Sequence, residues 1–138
     1  MNKLKLRQTG FTIVELLIVI VIIGILATIG FVAFSGAQNK AKKSKAQSTL
    51  SQVKAKLGEY NAENDSYPAD KAAVITYLKS ASGGNNTALG NSLDSTTTPP
   101  GEMSAITYSC TGTPCTAFTL TAPGSMWGTS TESIAVTN

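Results

Sequence analysis

A long apolar segment near the start of the sequence restricts what the chain can fold into. Residues 11–34 read FTIVELLIVIVIIGILATIGFVAF, and the 19 residues from Leu16 to Phe34 carry no formal charge. As a helix, these residues span roughly 28 Å, close to the thickness of a hydrocarbon core. Apolar side chains surround every face of such a helix, so it must be buried all round, in lipid or in a bundle of like helices.

The positive charge of the chain is concentrated before this segment. Lys3, Lys5 and Arg7 precede it without any acid, whereas from residue 11 onward 8 cations balance 8 acids. A nucleic-acid-binding protein usually carries its excess of cations on the folded domain, so this balance gives little support to DNA binding. Cations that flank an apolar segment instead indicate a targeting or topology signal.

Three interpretations of the apolar segment follow from the residues themselves. It could be a plain membrane anchor whose preceding cations hold that end in the cytoplasm. It could be a secretory signal peptide cleaved at the small residues Ser35-Gly36-Ala37, although its apolar region is longer than the usual 7–15 residues. The third interpretation depends on Glu15, which lies inside the apolar run.

A carboxylate such as that of Glu15 costs about 2 kcal/mol or more within a membrane helix, which neither an anchor nor a signal peptide repays. Cleavage between Gly10 and Phe11 would place a new ammonium one helical turn from this carboxylate. The ammonium could pair with Glu15 of the same chain or of a neighbour. Such a pair would fix the stagger between helices in a dry bundle, where an unpaired charge is heavily penalised.

The stretch from Thr9 to Val19, TGFTIVELLIV, resembles the processing motif of type IV pilins and type II secretion pseudopilins. In that family a basic leader ends in Gly, a membrane peptidase cuts after it, the following Phe is commonly N-methylated, and a Glu four residues later directs assembly. Gly10, Phe11 and Glu15 occupy those positions. Many members also carry a Pro in the apolar helix, where this chain has Val32.

The resemblance implies a structural subunit of a type IV pilus, with no enzymatic activity and no cofactor. Its implied partners are further copies, other pilins, the prepilin peptidase, an assembly ATPase and a platform membrane protein. The subunit would wait in the cytoplasmic membrane before entering an extracellular filament. Two alternatives stay open, namely a pseudopilin of a secretion or DNA-uptake system and a membrane-anchored binding module that never polymerises.

The pattern beyond the apolar segment predicts an α+β protein of pilin-like design. We expect a leader over residues 1–10, a transmembrane or filament-core helix over 11–34, an amphipathic continuation over 35–62 and a globular head over 63–138. Leu50, Val53, Leu57 and Tyr60 lie on one helical face, which Ala37, Ala41 and Ala46 extend backwards. A helix from 11 to 62 spans roughly 78 Å, so its first half should project from so small a head.

The head is predicted to hold a short helix followed by a small antiparallel sheet. Residues 70–80 read as a helix with Ala73, Ile75 and Leu78 inward, and 81–101 read as a surface loop. Strands are expected over 105–110, 116–122 and 132–137, and Phe118 and Leu120 share one face of the second. Met126 and Trp127 are expected in the core or at an interface.

Few residues in the sequence suit catalysis or metal binding. The chain has no His and two Cys, which excludes His-based sites and a four-thiolate zinc site. In an exported domain Cys110 and Cys115 should form a disulfide across a four-residue hairpin loop. Loop acids bind calcium in some secretion pseudopilins, but no run of alternating acids supports such a site here. The lysines at 40, 42, 43 and 45 would form a solvated face, or contact lipid or a neighbouring acidic patch.

Overall fold

The computed structural model describes residues 10–98, 101–129 and 131–138 of the chain. It contains three α-helices and three strands, together with one turn of 3-10 helix at Gly124–Trp127. The elements are α1 (Ile13–Asn64), α2 (Lys71–Lys79), α3 (Thr87–Leu93), β1 (Thr107–Thr111), β2 (Ala117–Pro123) and β3 (Ser133–Thr137). This long N-terminal helix with a small three-stranded antiparallel sheet confirms the predicted α+β, pilin-like fold class. The predicted leader lies outside the described residues except for Gly10.

The chain divides into two compact units, of which the first ends at Ala37 and the second is Gln38–Asn138. In the first unit α1 begins two residues later than predicted, and it continues without a break through Gly24 and Gly30. Each described large apolar side chain of this unit is at least half exposed, with values from 89% for Phe11 to 50% for Ile22. Within the described residues this is the one helix long and apolar enough to cross a membrane, with a mean hydropathy of 3.1 over 18 residues.

The second unit is built on the amphipathic end of α1. Ala46, Leu50, Val53 and Leu57 are fully buried at the spacing predicted for one helical face, and Tyr60 is half-buried. Burial of each such leucine stabilises the fold by about 1.5–3 kcal/mol. The expected extension of this stripe to Ala37 and Ala41 is wrong, because both side chains are exposed and the buried face begins at Ala46.

The short helix α2 lies within the predicted range but presents a different face to the core. Asp70 caps it by accepting a hydrogen bond from the Ala73 amide at 2.8 Å. Val74, Tyr77 and Leu78 are buried, whereas Ala73 is exposed, so the expected inward orientation of Ala73 is wrong. The buried set follows the i, i+3, i+4 spacing, which the alanines of this segment obscured.

The prediction of a surface loop over residues 81–101 is wrong for its middle part, which forms α3. The side chain of Asn86 caps α3 by accepting from the Leu89 amide at 3.2 Å. Leu89 and Leu93 lie one turn apart on the helix and are buried against the core. Two leucines and one cap thus outweigh the Asn, Gly and Thr content that favoured a loop.

The three strands form one antiparallel sheet in the order β1-β2-β3. Tyr108 pairs with Leu120, and Leu120 with Val136, so these side chains share the inward face. Phe118, Leu120 and Ala122 of β2 are buried together, as their alternation predicts. The sheet, α2, α3 and the second half of α1 enclose a single apolar cluster that also contains Met103, Ile106 and Trp127.

The hairpin between β1 and β2 is cross-linked by a disulfide and hydrogen-bonded to the segment that follows α1. Cys110 and Cys115 are joined by a disulfide, with their Cα atoms 5.7 Å apart. The amide of Tyr67 donates to the carbonyl of Cys115 at 2.9 Å, and the Tyr108 hydroxyl donates to the carbonyl of Pro68 at 2.6 Å. The Tyr-Pro turn after α1 therefore holds the hairpin in place.

Candidate functional site

The first turn of α1 is closed by reciprocal hydrogen bonds between Thr12 and Glu15. The Glu15 carboxylate atom Oε2 accepts from the Thr12 amide at 2.9 Å and from the Thr12 hydroxyl at 2.7 Å. The Thr12 hydroxyl oxygen in turn accepts from the Glu15 amide at 3.2 Å. This arrangement is a capping box, in which a Thr at the N-cap and a Glu three residues later satisfy otherwise unpaired helix amides.

The capping box gives Glu15 a local role that the sequence analysis did not assign to it. The Thr-x-x-Glu pattern before an apolar run was the signal that could have shown it. Both bonds to the carboxylate are accepted by Oε2, whereas an ionised carboxylate has about four acceptor positions on its two oxygens. Oε1 is therefore available to a cation from outside the cap.

Gly10 and Phe11 precede the helix and are exposed. Gly10 is not part of any regular element, and a Cβ atom built on it would meet nothing within 4 Å. Phe11 is 89% exposed. Within the part of the chain that the structure describes, no packing contact restricts the side chain at position 10.

Two lysines of the basic segment that follows the apolar run contact acids far along the chain. Lys43 forms an ion pair with Glu132 beside β3, and Lys45 forms one with Glu102 before β1. The hydrogen bond from Lys43 lowers the pKa of Glu132, and that from Lys45 lowers the pKa of Glu102. These acids looked scattered in the sequence, and the fold brings each of them to α1.

A third ion pair joins α2 to the end of α3. The Lys79 ammonium donates to Asp94 at 2.8 Å, and Asp94 also accepts from the hydroxyl and amide of Thr96 at 2.6 and 2.9 Å. The bond from Lys79, followed by those from Thr96, holds the pKa of Asp94 well below its usual range. Nearby, burial lowers the pKa of Lys71, whose ammonium donates to the carbonyl of Ser104 at 2.7 Å.

No group of three or more metal-ligating side chains occurs in the described part of the chain. The three head acids named above each have a lysine partner, and both cysteines are used in the disulfide. The chemistry of the head is thus that of ion pairs and a packed core. The exposed apolar helix and its N-terminal cap remain the candidate functional site.

Comparisons with known proteins match part of the chain. The family model for the prokaryotic N-terminal methylation motif matches residues 5–31. The type II secretion system core protein G of Dickeya chrysanthemi is 36% identical over 73 residues, or 53% of this chain and 48% of that protein. The corresponding protein of Aeromonas hydrophila is 41% identical over 70 residues, covering 51% and 49%.

A fimbrial protein matches about as well. Fimbrial protein EcpC of Eikenella corrodens is 41% identical over 71 residues, or 51% of this chain and 46% of that protein. The matched region spans about half the length of each of these relatives. No solved structure shows significant similarity to the chain.

The fold and the N-terminal motif define the class as an α+β protein with a prepilin-type apolar helix. The resemblance to the type IV pilin and type II secretion pseudopilin family is confirmed, since the methylation-motif model matches residues 5–31 and the similar proteins include both type II secretion core proteins G and a fimbrial protein.

Proposed function

We propose that the chain is a structural subunit of a type IV pilus, processed after Gly10 and polymerised through the apolar half of α1. The observation that carries this proposal is the exposure of large apolar side chains on every side of the helix up to Phe34. Membrane lipid would cover this apolar surface before assembly, and neighbouring copies of the same helix would cover it afterwards. Polymerisation thus exchanges lipid contacts for helix contacts.

The start of the helix supports cleavage between Gly10 and Phe11. Gly10 and Phe11 are both exposed, and no described residue lies within 4 Å of a Cβ atom built on Gly10, so a peptidase could reach the bond between them. Cleavage would create an ammonium on Phe11, next to the Thr12 cap that already holds one oxygen of Glu15. The second oxygen could then accept from the new ammonium of the same subunit or of its neighbour.

The remaining partners follow from the same proposal. These partners are the prepilin peptidase, which would cut after Gly10, together with an assembly ATPase and a platform membrane protein that would act on the subunit in the cytoplasmic membrane. Copies of the chain and other pilins form the filament at the cell surface. The subunit's role is structural, and its ion-paired head acids support that reading better than a catalytic one.

Mass spectrometry of the mature N-terminus, combined with electron microscopy of sheared filaments, tests this function. In a host with the peptidase and assembly machinery we expect N-methylated Phe11 as the first residue and fibres that contain the chain. A peptidase deletion is the control and should abolish both. A chain that keeps its leader in the wild-type host would instead support the anchored binding module.

A pseudopilin of a type II secretion system is the second candidate. It is favoured by the similarity of the chain to type II secretion core proteins G, among them those of Dickeya chrysanthemi and Aeromonas hydrophila. At native expression a pseudopilin should restore secretion in a deletion strain without visible surface fibres. The pilus function is favoured by the pairing of Asp94, Glu102 and Glu132 with lysines, because a calcium-binding pseudopilin needs loop acids free to ligate a cation.

A further inference from the structure

The charged side chains of the second unit divide into those with a partner and those without. Lysine–acid pairs join Lys43 to Glu132, Lys45 to Glu102, Lys56 to Glu59 and Lys79 to Asp94. Lys54, Lys71 and Asp70 bond to backbone atoms. Among the described residues of this unit, two cations and two acids are left without a hydrogen bond or ion pair, and these are Lys40, Lys42, Glu63 and Asp65.

The two unpaired acids lie where the helix itself disfavours them. Glu63 is in the last turn of α1 and Asp65 directly follows it, and this last turn contains no basic residue. The C-terminus of a helix carries a partial negative charge, so acids there are unfavourable and cations favourable. Lys56 lies within the field of Glu63, but its ammonium is bonded to Glu59 at 2.6 Å. A cation from outside the chain would relieve this conflict.

The conformation of Asp65 does not explain its charge. Its φ of 53° is in the left-handed region, and its amide closes the helix by donating to the Asn61 carbonyl at 2.8 Å. Asparagine adopts this conformation at least as readily as aspartate. The backbone turn therefore needs a short polar side chain but not a carboxylate.

The unpaired cations lie far from these acids on the same helix. Lys42 and Glu63 are separated by 21 residues of α1, or about 32 Å along its axis, so they cannot meet within one chain. Lys42 also borders an open groove of about 490 Å³ with an apolar lining from Ala41, Met103 and Met126. The groove offers room beside the lysine for the end of another helix.

We propose that Lys42 of one copy binds Glu63 of a second copy displaced by about 32 Å along the helix axis. This interface rests on the proposed filament function, since it needs parallel copies stacked along their helices. Lys40 lies two residues from Lys42, on the other side of the helix, and Asp65 lies just beyond the helix end, so neither is part of this pair. Lys42 and Glu63 are suited to each other because both are charged groups without a hydrogen bond or ion pair among the described residues of their own chain.

Cysteine cross-linking in isolated filaments tests the register directly. In the full chain carrying Lys42→Cys and Glu63→Cys, mild oxidation should give a ladder of covalent multimers. The matched control carries Gln52→Cys with Glu63→Cys, an exposed position on the same helix that is out of register by about 15 Å. The control should stay monomeric, and equal ladders in the two would overturn the proposal.

Charge reversal provides the second test. We expect Lys42→Glu to lower the sheared filament mass several-fold, since one attractive pair becomes repulsive. Adding Glu63→Lys should restore most of it, because the pair is then re-formed with its charges exchanged. The thermal midpoint of unassembled Lys42→Glu subunits should not change, because Lys42 has no ion-pair partner among the described residues of its own chain.

The outcomes separate the interface from the filament function. Wild-type filaments that assemble normally, with no specific cross-link and no effect of charge reversal, would overturn the interface and leave the filament proposal standing. Failure of the wild-type chain to polymerise in a host with the complete machinery would overturn both. Reversal without rescue by the compensating pair would also count against this interface.

Discussion

Glu15 has two candidate roles, and its contacts allow them to be separated by substitution. As a helix cap it exchanges hydrogen bonds with Thr12, and as an assembly residue it would offer its charge to the ammonium of Phe11. Glu15→Gln keeps the cap, because glutamine also serves at this position of a capping box, but removes the charge. Thr12→Ala removes the cap and keeps the charge.

The two roles differ in size. Loss of an N-cap costs about 1 kcal/mol, or roughly fivefold in an equilibrium. Loss of one partner from an ion pair in a dry helix bundle costs about 3–5 kcal/mol, which is more than a hundredfold. We therefore expect Glu15→Gln to reduce the yield of sheared filaments at least about a hundredfold, and Thr12→Ala to reduce it only several-fold.

Quantitative immunoblotting of sheared filaments measures the yield, and membrane fractionation shows whether each variant still inserts. Both variants should insert as well as wild type, since neither adds a charge to the apolar segment. Normal filament yield with Glu15→Gln, together with a severe loss with Thr12→Ala, would refute the charge-pairing argument. Glu15 would then be a helix cap alone.

Three further predictions concern the second unit. Leu57→Ala should lower the free energy of unfolding by about 2–5 kcal/mol, whereas exposed Gln52→Ala should stay within about 0.5 kcal/mol, as followed by denaturant unfolding of the full chain in detergent. Replacing Cys110 and Cys115 by serine should cost at most about 2 kcal/mol in the same assay, because the disulfide closes a short loop. The pKa of Asp94 is lowered in the folded state from its usual value of 3.8, so its ionised form stabilises the fold at pH values above about 4, and this contribution is lost as the pH falls further. Asp94→Asn should therefore weaken the fall of the thermal midpoint at acidic pH.

The features that the sequence predicted well are those with a regular period. The buried stripe of α1 repeats every three to four residues and the alternation in β2 repeats every two, so each pattern defines both the element and its inward face. Leu50 and Leu57 on the helix and Phe118 and Leu120 on the strand lie where these periods place them. Such patterns reflect burial averaged over several residues, which local composition rarely hides.

The features that were missed depend on single contacts. Helix α3 rests on one Asn86 cap and two leucines in a segment otherwise rich in loop residues. The pairing of Lys43 with Glu132 joins residues 89 positions apart, and no local pattern specifies which lysine meets which acid. Gly124 is a similar case, since a Cβ atom there would lie 1.9 Å from the carbonyl oxygen of Glu132. Only the folded backbone reveals that approach.

The contacts between Lys43 and Glu132 and between Lys45 and Glu102 have a consequence for the order in which the chain folds. During synthesis α1 is made first, whereas the strands that cover its buried face and the acids that pair with its lysines, Glu102 and Glu132, are made much later. In the membrane subunit proposed above, the second unit could close only after β3 has been made. A newly inserted subunit of that kind would present the lysines at 40, 42, 43 and 45 unpaired just beyond the apolar segment, and completion of the fold would pair two of them. Folding of the second unit would thus change the electrostatic surface that neighbouring copies meet.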